Sequence, residues 1–319
     1  MPSLLINHVM SSSQDSKIFK DILGYFSAFS PPEFSHLSSE TPLGGALIRH
    51  YHRPQLESRL IAPCVVTVHH DLADTDAWLD LQKFLPRYRE ASMVVCLNQT
   101  QQALLAAHGI EHTVVIAHGF NTELIRLNRA PPRSWNGKIQ IAIISKRYAR
   151  KVKGESYLFE LAKIIDKERF AFVLIGQGRL ACARHLESLG FEVTCLENAP
   201  YSVVADFYQK IDFLMMISRY EGGPACIPEA VAAGVPILCN PIAMARDMVQ
   251  PGVNGLYLSM DAQHDADHVF ARLGDEDLLR QLKQGALSRS TTASSWQHSV
   301  SRNCAVYTEL LKQMFSAFK

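Results

Sequence analysis

Two glutamates eight positions apart, Glu221 and Glu229, flank a glycine pair in ISRYEGGPACIPEAVAAGVPIL, residues 217–238. The first follows an apolar run that reads as a strand. The second falls where an alanine-rich helix begins. Gly222 and Gly223 allow close backbone approach, and with Pro224 and Ala225 they lead into the helix start. Amide groups at a helix start have no partner within the helix and carry the positive end of its dipole, so they suit an anion such as a diphosphate. Glu229 can accept from a vicinal diol such as a ribose, and Glu221 from sugar hydroxyls. The plainer reading is that both glutamates only favour the helix start, worth ~0.3–1 kcal/mol each.

A second cluster lies in SKRYARKVKGESYL, residues 145–158. Lys146, Arg147, Arg150, Lys151 and Lys153 crowd a strand-to-helix turn that contains Gly154. Arginine grips phosphate through two parallel hydrogen bonds and lysine acts as a point charge, so the loop suits a leaving group whose negative charge grows. The alternative is a solvated basic loop, the usual meaning of a charge run. A third element is VVTVHHD, which places His69 and His70 at the end of a strand, with Asp71 available to orient either ring.

The elements that must position these groups alternate between strand and helix along the whole chain. Runs such as VVTV, IAII and FLMM are apolar on both faces, as in parallel sheets covered on both sides. A helix is expected over DSKIFKDILGYFSAF with Ile18, Ile22, Phe26 and Phe29 on one face, and another over DAWLDLQKFLPRYREA, which Pro86 should kink or end. LNRAPPRSWNG, residues 127–137, has two prolines, a glycine and no periodicity, and reads as a linker. The expected organisation is a Rossmann-like domain over 1–130, a second over 131–297, and a C-terminal helix over 298–319 that packs back on the first. In such sheets ligands bind beyond the carboxyl ends of the strands, which here would line a central cleft.

Bulk properties narrow the classes. The 319 residues carry 32 basic and 31 acidic side chains, a net charge of +1, so no global basic field points to nucleic acid. Seven cysteines without a CxxC pair read as buried thiols in a reducing compartment. No run reaches the ~18–20 apolar residues of a membrane span, and the N-terminus lacks signal-peptide character. The expectation is a cytoplasmic protein, with peripheral contact at the inner membrane face left open.

These motifs resemble the retaining glycosyltransferases of the two-domain B-type fold (group 1, family 4). Glu221, seven residues, Glu229 and then AVAAGVPIL match the family's glutamate pair. PIAMARDMVQPGVNGLYL, FVLIGQGR with Gly176, VVTVHHD and VVIAHGFN are similar to other family segments in the same order. The resemblance implies two Rossmann-like domains (the GT-B fold), transfer from a nucleotide-diphosphate sugar with UDP and GDP undistinguished, and a glycan or lipid-linked acceptor. It assigns catalytic work to His69, Glu221, Arg147 and Lys153, with Lys146 the fallback for Arg147. It assigns donor contacts to Glu229, Gly222, Gly223, Pro224, Ala225 and Gly176.

The sequence departs from the family pattern at His118 and Asn121, where asparagine and aspartate are usual. The loop after the first strand, MSSSQDSK, has no glycine, and Gly44 and Gly45, with His70, are the acceptor-side candidates in its place. DTD at 74–76, weighed as a metal motif, is read as part of a helix start, so neither metal nor cofactor is expected. A sugar-nucleotide epimerase or hydrolase and a non-catalytic donor-binding scaffold are the alternatives.

Overall fold

The computed structural model describes residues 3–10, 17–130 and 137–316. The chain divides into two compact units, one formed by 1–119 with 294–319 and the other by 120–293. Each is built on a six-stranded sheet in which every pairing is parallel.

In the first unit the strands are β1 (Leu4–Val9), β2 (Phe34–Ser39), β3 (Ile48–Tyr51), β4 (Cys64–Thr67), β5 (Met93–Cys96) and β6 (Thr113–Val115). Their spatial order is β2-β1-β3-β4-β5-β6. Side chains alternate between faces, so the sheet feeds two cores. One holds Val9, Tyr51, Val66, Phe84 and Tyr88, and the other Ile6, Phe26, Ile48, Val65 and Tyr307. The helix Trp296–Ser316 lies on the second core because Trp296, Val300, Cys304, Tyr307 and Leu311 recur at three- and four-residue spacing and are all buried. Each large side chain so buried contributes about 1.5–3 kcal/mol. Trp296 stacks on Tyr25 of the helix Lys17–Phe29, ring centroids 4.6 Å apart.

In the second unit β7 (Ile139–Ile144), β8 (Phe170–Ile175), β9 (Glu192–Leu196), β10 (Phe213–Met216), β11 (Ile237–Cys239) and β12 (Gly255–Tyr257) run in the order β12-β11-β10-β7-β8-β9. The helices Glu155–Ala162, Leu180–Ser188 and Glu276–Arg289 supply its core with Leu158, Leu186 and Leu282, among others.

Several expectations need correction. Ile22 and Phe26 are buried as the periodicity requires, but Phe29 is 37% exposed at the helix end; the Ile18 side chain lies outside the described residues. The helix expected around Pro86 starts at Leu81, capped by Asp80, and runs past Pro86 to Glu90. The stretch read as a linker is anchored where it is described. Asn128 is buried, and its side chain donates to the Tyr208 carbonyl while its backbone amide donates to that of Ala233. Residues 131–136 of that stretch, and most of the glycine-free loop after β1, lie outside the described residues. The units part between Gly119 and Phe120, earlier than 130, and again between Ala293 and Ser294, so the terminal helix and its lead-in belong to the first unit.

His118 and Asn121 bracket the first of these crossings. His118 packs on Trp296, and Asn121 accepts from the amides of Glu123 and Leu124. At Gly119 an added Cβ would stand 2.3 Å from the Trp296 nitrogen, whereas one at Gly44 or Gly45 meets nothing within 4 Å. Gly44 and Gly45 therefore face open space within the unit, and packing alone does not require glycine at either position. Gly119→Ala should lower the urea midpoint of unfolding by an amount equivalent to about 1–3 kcal/mol, and Gly45→Ala should leave it within ~0.5 kcal/mol.

Candidate functional site

In the second unit the chemistry gathers at the carboxyl ends of β7, β8 and β10. Three loops meet there because glycines let backbone touch backbone. Gly154, at φ 81°, lies so close to the Ile217 carbonyl that a Cβ would fall 2.1 Å from its oxygen. Gly176, at φ 134°, packs likewise on the Ser145 carbonyl, with 2.5 Å to an added Cβ. The Arg147 amide donates to the Gln177 carbonyl, and the Arg219 amide to that of Val152. The basic loop is thus held between the β8 turn and the loop after β10.

This places Lys153 against Glu221. The Lys153 ammonium donates to Glu221 Oε1, and the Ser218 hydroxyl donates to the same oxygen at 2.7 Å. Both charged side chains are largely buried, each 12% exposed. Burial opposes the charge on Lys153, but the Glu221 carboxylate more than offsets it, so the ammonium is held above its ordinary pKa. The half-exposed Tyr148 ring lies 5.3 Å from the Lys153 ammonium and 5.9 Å from that of Lys146.

Glu229 occupies the first turn of the helix Cys226–Ala233 and is buried. It accepts from the Tyr201 hydroxyl at 2.6 Å and the Tyr208 hydroxyl at 2.7 Å, one on each oxygen. These two bonds orient the carboxylate. The Cys226 thiol is pushed up first by burial and then by Glu221 and Glu229, with Lys153 acting against them. All three charges therefore bear on one point at the helix start, beside Gly222, Gly223, Pro224 and Ala225.

Arg147 has a different partner. Its Nε is 3.9 Å from Oε1 of Glu155, a buried carboxylate that Arg179 Nη1 also faces at 3.6 Å. Arg179 is fully buried and braces the loop by donating to the Ser145 carbonyl at 2.8 Å and the Ser145 hydroxyl at 2.6 Å.

In the first unit the two histidines of VVTVHHD have separate environments. His69 Nε2 is 2.8 Å from His52 Nδ1. His70 lies on Phe84 with ring centroids 4.1 Å apart, and burial drops its pKa to about 4, with Asp74 acting in the other direction. Asp71 accepts from the Ala73 amide in a tight turn. His69 ends a row of imidazoles formed with His52, His8 and the partly exposed His36, with His50 beside it; burial lowers their pKa values, to about 4 for His36 and about 3 for His52.

The triplet DTD is in a loop and not at a helix start: Asp74 and Asp76 accept from the amides of Asp76 and Trp78 in successive turns. Two other triplets of that form, 265–267 and 275–277, are structural. Asp265 accepts from Tyr157 and Ser259, and Asp275 caps the helix Glu276–Arg289.

Sequence reasoning missed Tyr201, Tyr208, Ser218, Arg179 and the histidine row. The row had a visible sign, alternate histidines in RHYH next to a strand histidine in LLINHV. The tyrosines had none, since they reach Glu229 from 21 and 28 positions away.

The chain thus holds two Rossmann-like units, one of which carries a Lys–Glu pair and a helix start beyond the carboxyl ends of its strands. A family model described as glycosyl transferases, group 1, matches residues 129–289, half of the chain, and the chain belongs to that family. It is 24% identical over 279 residues to an uncharacterized glycosyltransferase of Methanocaldococcus jannaschii, a match covering 82% of this chain and 74% of the relative. Among solved structures it resembles sucrose-phosphate synthase from Thermosynechococcus elongatus, with a TM-score of 0.76, 15% identity and coverage of 98% and 99% of the two chains. HepE from Anabaena, solved in complex with UDP and glucose, gives a TM-score of 0.71 at 15% identity, covering 96% and 100%. At such identity these are likenesses of fold.

Arg179→Ala would leave Glu155 buried without its nearest cation, and the expected loss is about 3–5 kcal/mol in urea unfolding. Acid should also weaken the protein. The buried imidazoles have folded pKa values below the solvated value of 6.5, so the unfolded chain takes up protons first as pH falls. Their stability is complete above about pH 6.5 and declines from there toward the folded values. Each of His8, His50 and His52 should contribute a slope of about 1.4 kcal/mol per pH unit, read from urea midpoints at pH 7.5, 6 and 5.

Proposed function

We propose that this chain transfers a hexose-type sugar from a nucleotide-diphosphate sugar to a glycan or lipid-linked acceptor, with retention of anomeric configuration and without a metal. The observation that carries the reading is the buried Lys153–Glu221 pair at the edge of β10, beside the start of the helix Cys226–Ala233. A cation and a helix start suit the diphosphate, and a carboxylate set beside them suits the hydroxyls of the attached sugar.

In this reading Lys153 and Arg147 stabilise the charge that develops on the leaving diphosphate. Glu229, oriented by Tyr201 and Tyr208, takes the ribose hydroxyls. Glu221 takes hydroxyls of the transferred sugar, and His69 serves the sugar from the acceptor-side unit. The acceptor hydroxyl attacks on the side from which the phosphate departs, and the departing phosphate takes its proton. The positive groups replace a metal in this scheme. That HepE was solved with UDP and glucose is consistent with a nucleotide-sugar donor here.

No described helix is long and apolar enough to cross a membrane. All seven cysteines are unpaired, which favours a reducing compartment and so a cytoplasmic site of action.

The test is a thermal-shift screen against UDP-, GDP-, ADP- and TDP-sugars with EDTA present. A donor at 100 times its Kd should add about 2.7 kcal/mol of stability. One nucleotide class should give the shift, and Glu229→Ala and Lys153→Ala should each abolish it. Folded protein that responds to none of these donors would move a non-catalytic role to first place.

A further inference from the structure

Four histidines of the first unit form a continuous row across four adjacent strands. His36 is in β2, His8 in β1, His52 just after β3 and His69 just after β4, which is the spatial order of those strands. The register sets His8 opposite His50 and Ile6 opposite His36, so the row keeps to one face of the sheet. His69 Nε2 is 2.8 Å from His52 Nδ1, His52 Nε2 is 3.0 Å from His8 Nδ1, and His8 Nε2 is 3.0 Å from His36 Nδ1. His36 Nε2 is 2.7 Å from Ser30 Oγ, which lies 3.4 Å from Cys304 Sγ. Every imidazole link joins the ε nitrogen of one ring to the δ nitrogen of the next. His8 and His52 are buried, and His69 and His36 are partly exposed at the two ends.

A neutral imidazole has one N–H and one lone pair. In a head-to-tail row each gap between nitrogens holds one proton, so neutral rings cannot choose tautomers separately. Either all four carry the proton on Nε2 or all four carry it on Nδ1. Burial favours the neutral form of each ring. His50 stands beside the row and is not part of it. Its Nδ1 is 2.6 Å from the Tyr307 hydroxyl and its Nε2 2.6 Å from Thr67 Oγ1.

Nitrogens of His8, His50 and His52 lie within 4.8 Å of one another, which raises the possibility of a metal triad. Both nitrogens of each ring are already engaged, and the rings stack at 18° to 31° instead of converging on a point. The arrangement favours proton transfer over metal ligation.

We propose that His69, His52, His8 and His36 form a proton relay ending at Ser30, in which His8, His36 and His52 are positioning residues that set the tautomer of His69. A proton taken up at His69 Nδ1 releases the Nε2 proton of His69 to His52 Nδ1. His52 passes its Nε2 proton to His8, and His8 passes its own to His36. His36 gives its Nε2 proton to the Ser30 oxygen, whose hydroxyl proton goes to solvent. One proton enters, one leaves, and the row changes from all Nε2–H to all Nδ1–H; the reverse sequence resets it. The relay thus decides whether His69 offers Nδ1 as an acceptor or as a donor. Its consequence for transfer rests on the reading of His69 as a group that serves the sugar.

The test reads tautomers directly, by long-range 1H–15N correlation on the full chain labelled with 15N-histidine at pH 7.5. In the native protein His8, His36, His52 and His69 should share one tautomer. In His36→Phe, which cuts the row near its exposed end, the resonances of His8, His52 and His69 should move together, while His112, bonded to the Tyr88 carbonyl outside the row, stays in place. Mixed tautomers in the native row, or a change confined to His8 as the neighbour of the substitution, would overturn the relay. So would equimolar zinc shifting His8, His50 and His52 together. With the donor found above, His36→Phe should lower kcat roughly tenfold at unchanged donor KM, and unchanged kcat would remove the relay from the reaction. Native protein inactive with every donor would refute the transferase reading while leaving the tautomer result standing.

Discussion

The Lys153–Glu221 pair of the second unit depends on two places where backbone meets backbone. Gly154 against the Ile217 carbonyl and Gly176 against the Ser145 carbonyl draw the loops after β7, β8 and β10 into contact. Both glycines take positive φ, which side chains with a Cβ rarely adopt. With any larger residue at 154 the basic loop would stand away from β10, and Lys153 would lose Glu221. A cation kept this far from water is useful only if a carboxylate is already beside it, because burial alone would favour its neutral form. The glycines are therefore electrostatic devices as much as turn formers.

The same unit shows how a buried charge can be structural. Arg179 has no exposure, yet it is satisfied by Ser145 and faces Glu155, a carboxylate that Arg147 also approaches, so it fixes the start of the basic loop. The first unit uses another means of burying polar groups. His69, His52, His8 and His36 pair with one another in a line, and burial favours their neutral forms, so these rings satisfy one another without a counter-charge. A sheet whose strands run parallel brings equivalent positions into one row, and that is why one histidine per strand suffices.

Much of this was legible in advance. Strand–helix alternation with strands apolar on both faces pointed to parallel sheets, and the runs VVTV, IAII and FLMM fall at β4, β7 and β10. The Lys153, Glu221 and Glu229 motifs were visible because each is a local signal, a loop next to a glycine or a helix start. The linker was misplaced because its prolines and missing periodicity also suit an irregular segment anchored by Asn128. Composition cannot distinguish a free connection from a tethered one, since the tether is made to residues about 80 and 105 positions away.

The sequence by itself determined the class of fold, the residue types available at each strand end, and the order in which they occur. These depend on periodicity, on glycine and proline stereochemistry and on short spacings, all of which act between near neighbours. Only the tertiary structure decided which partners those residues keep. It gave Glu229 to Tyr201 and Tyr208, Arg179 to Ser145, and His69 instead of His70 to the imidazole row. Hydrogen bonds and ion pairs form across space at a few ångströms, and the strand order that brings distant residues to that range is a property of the packed sheet.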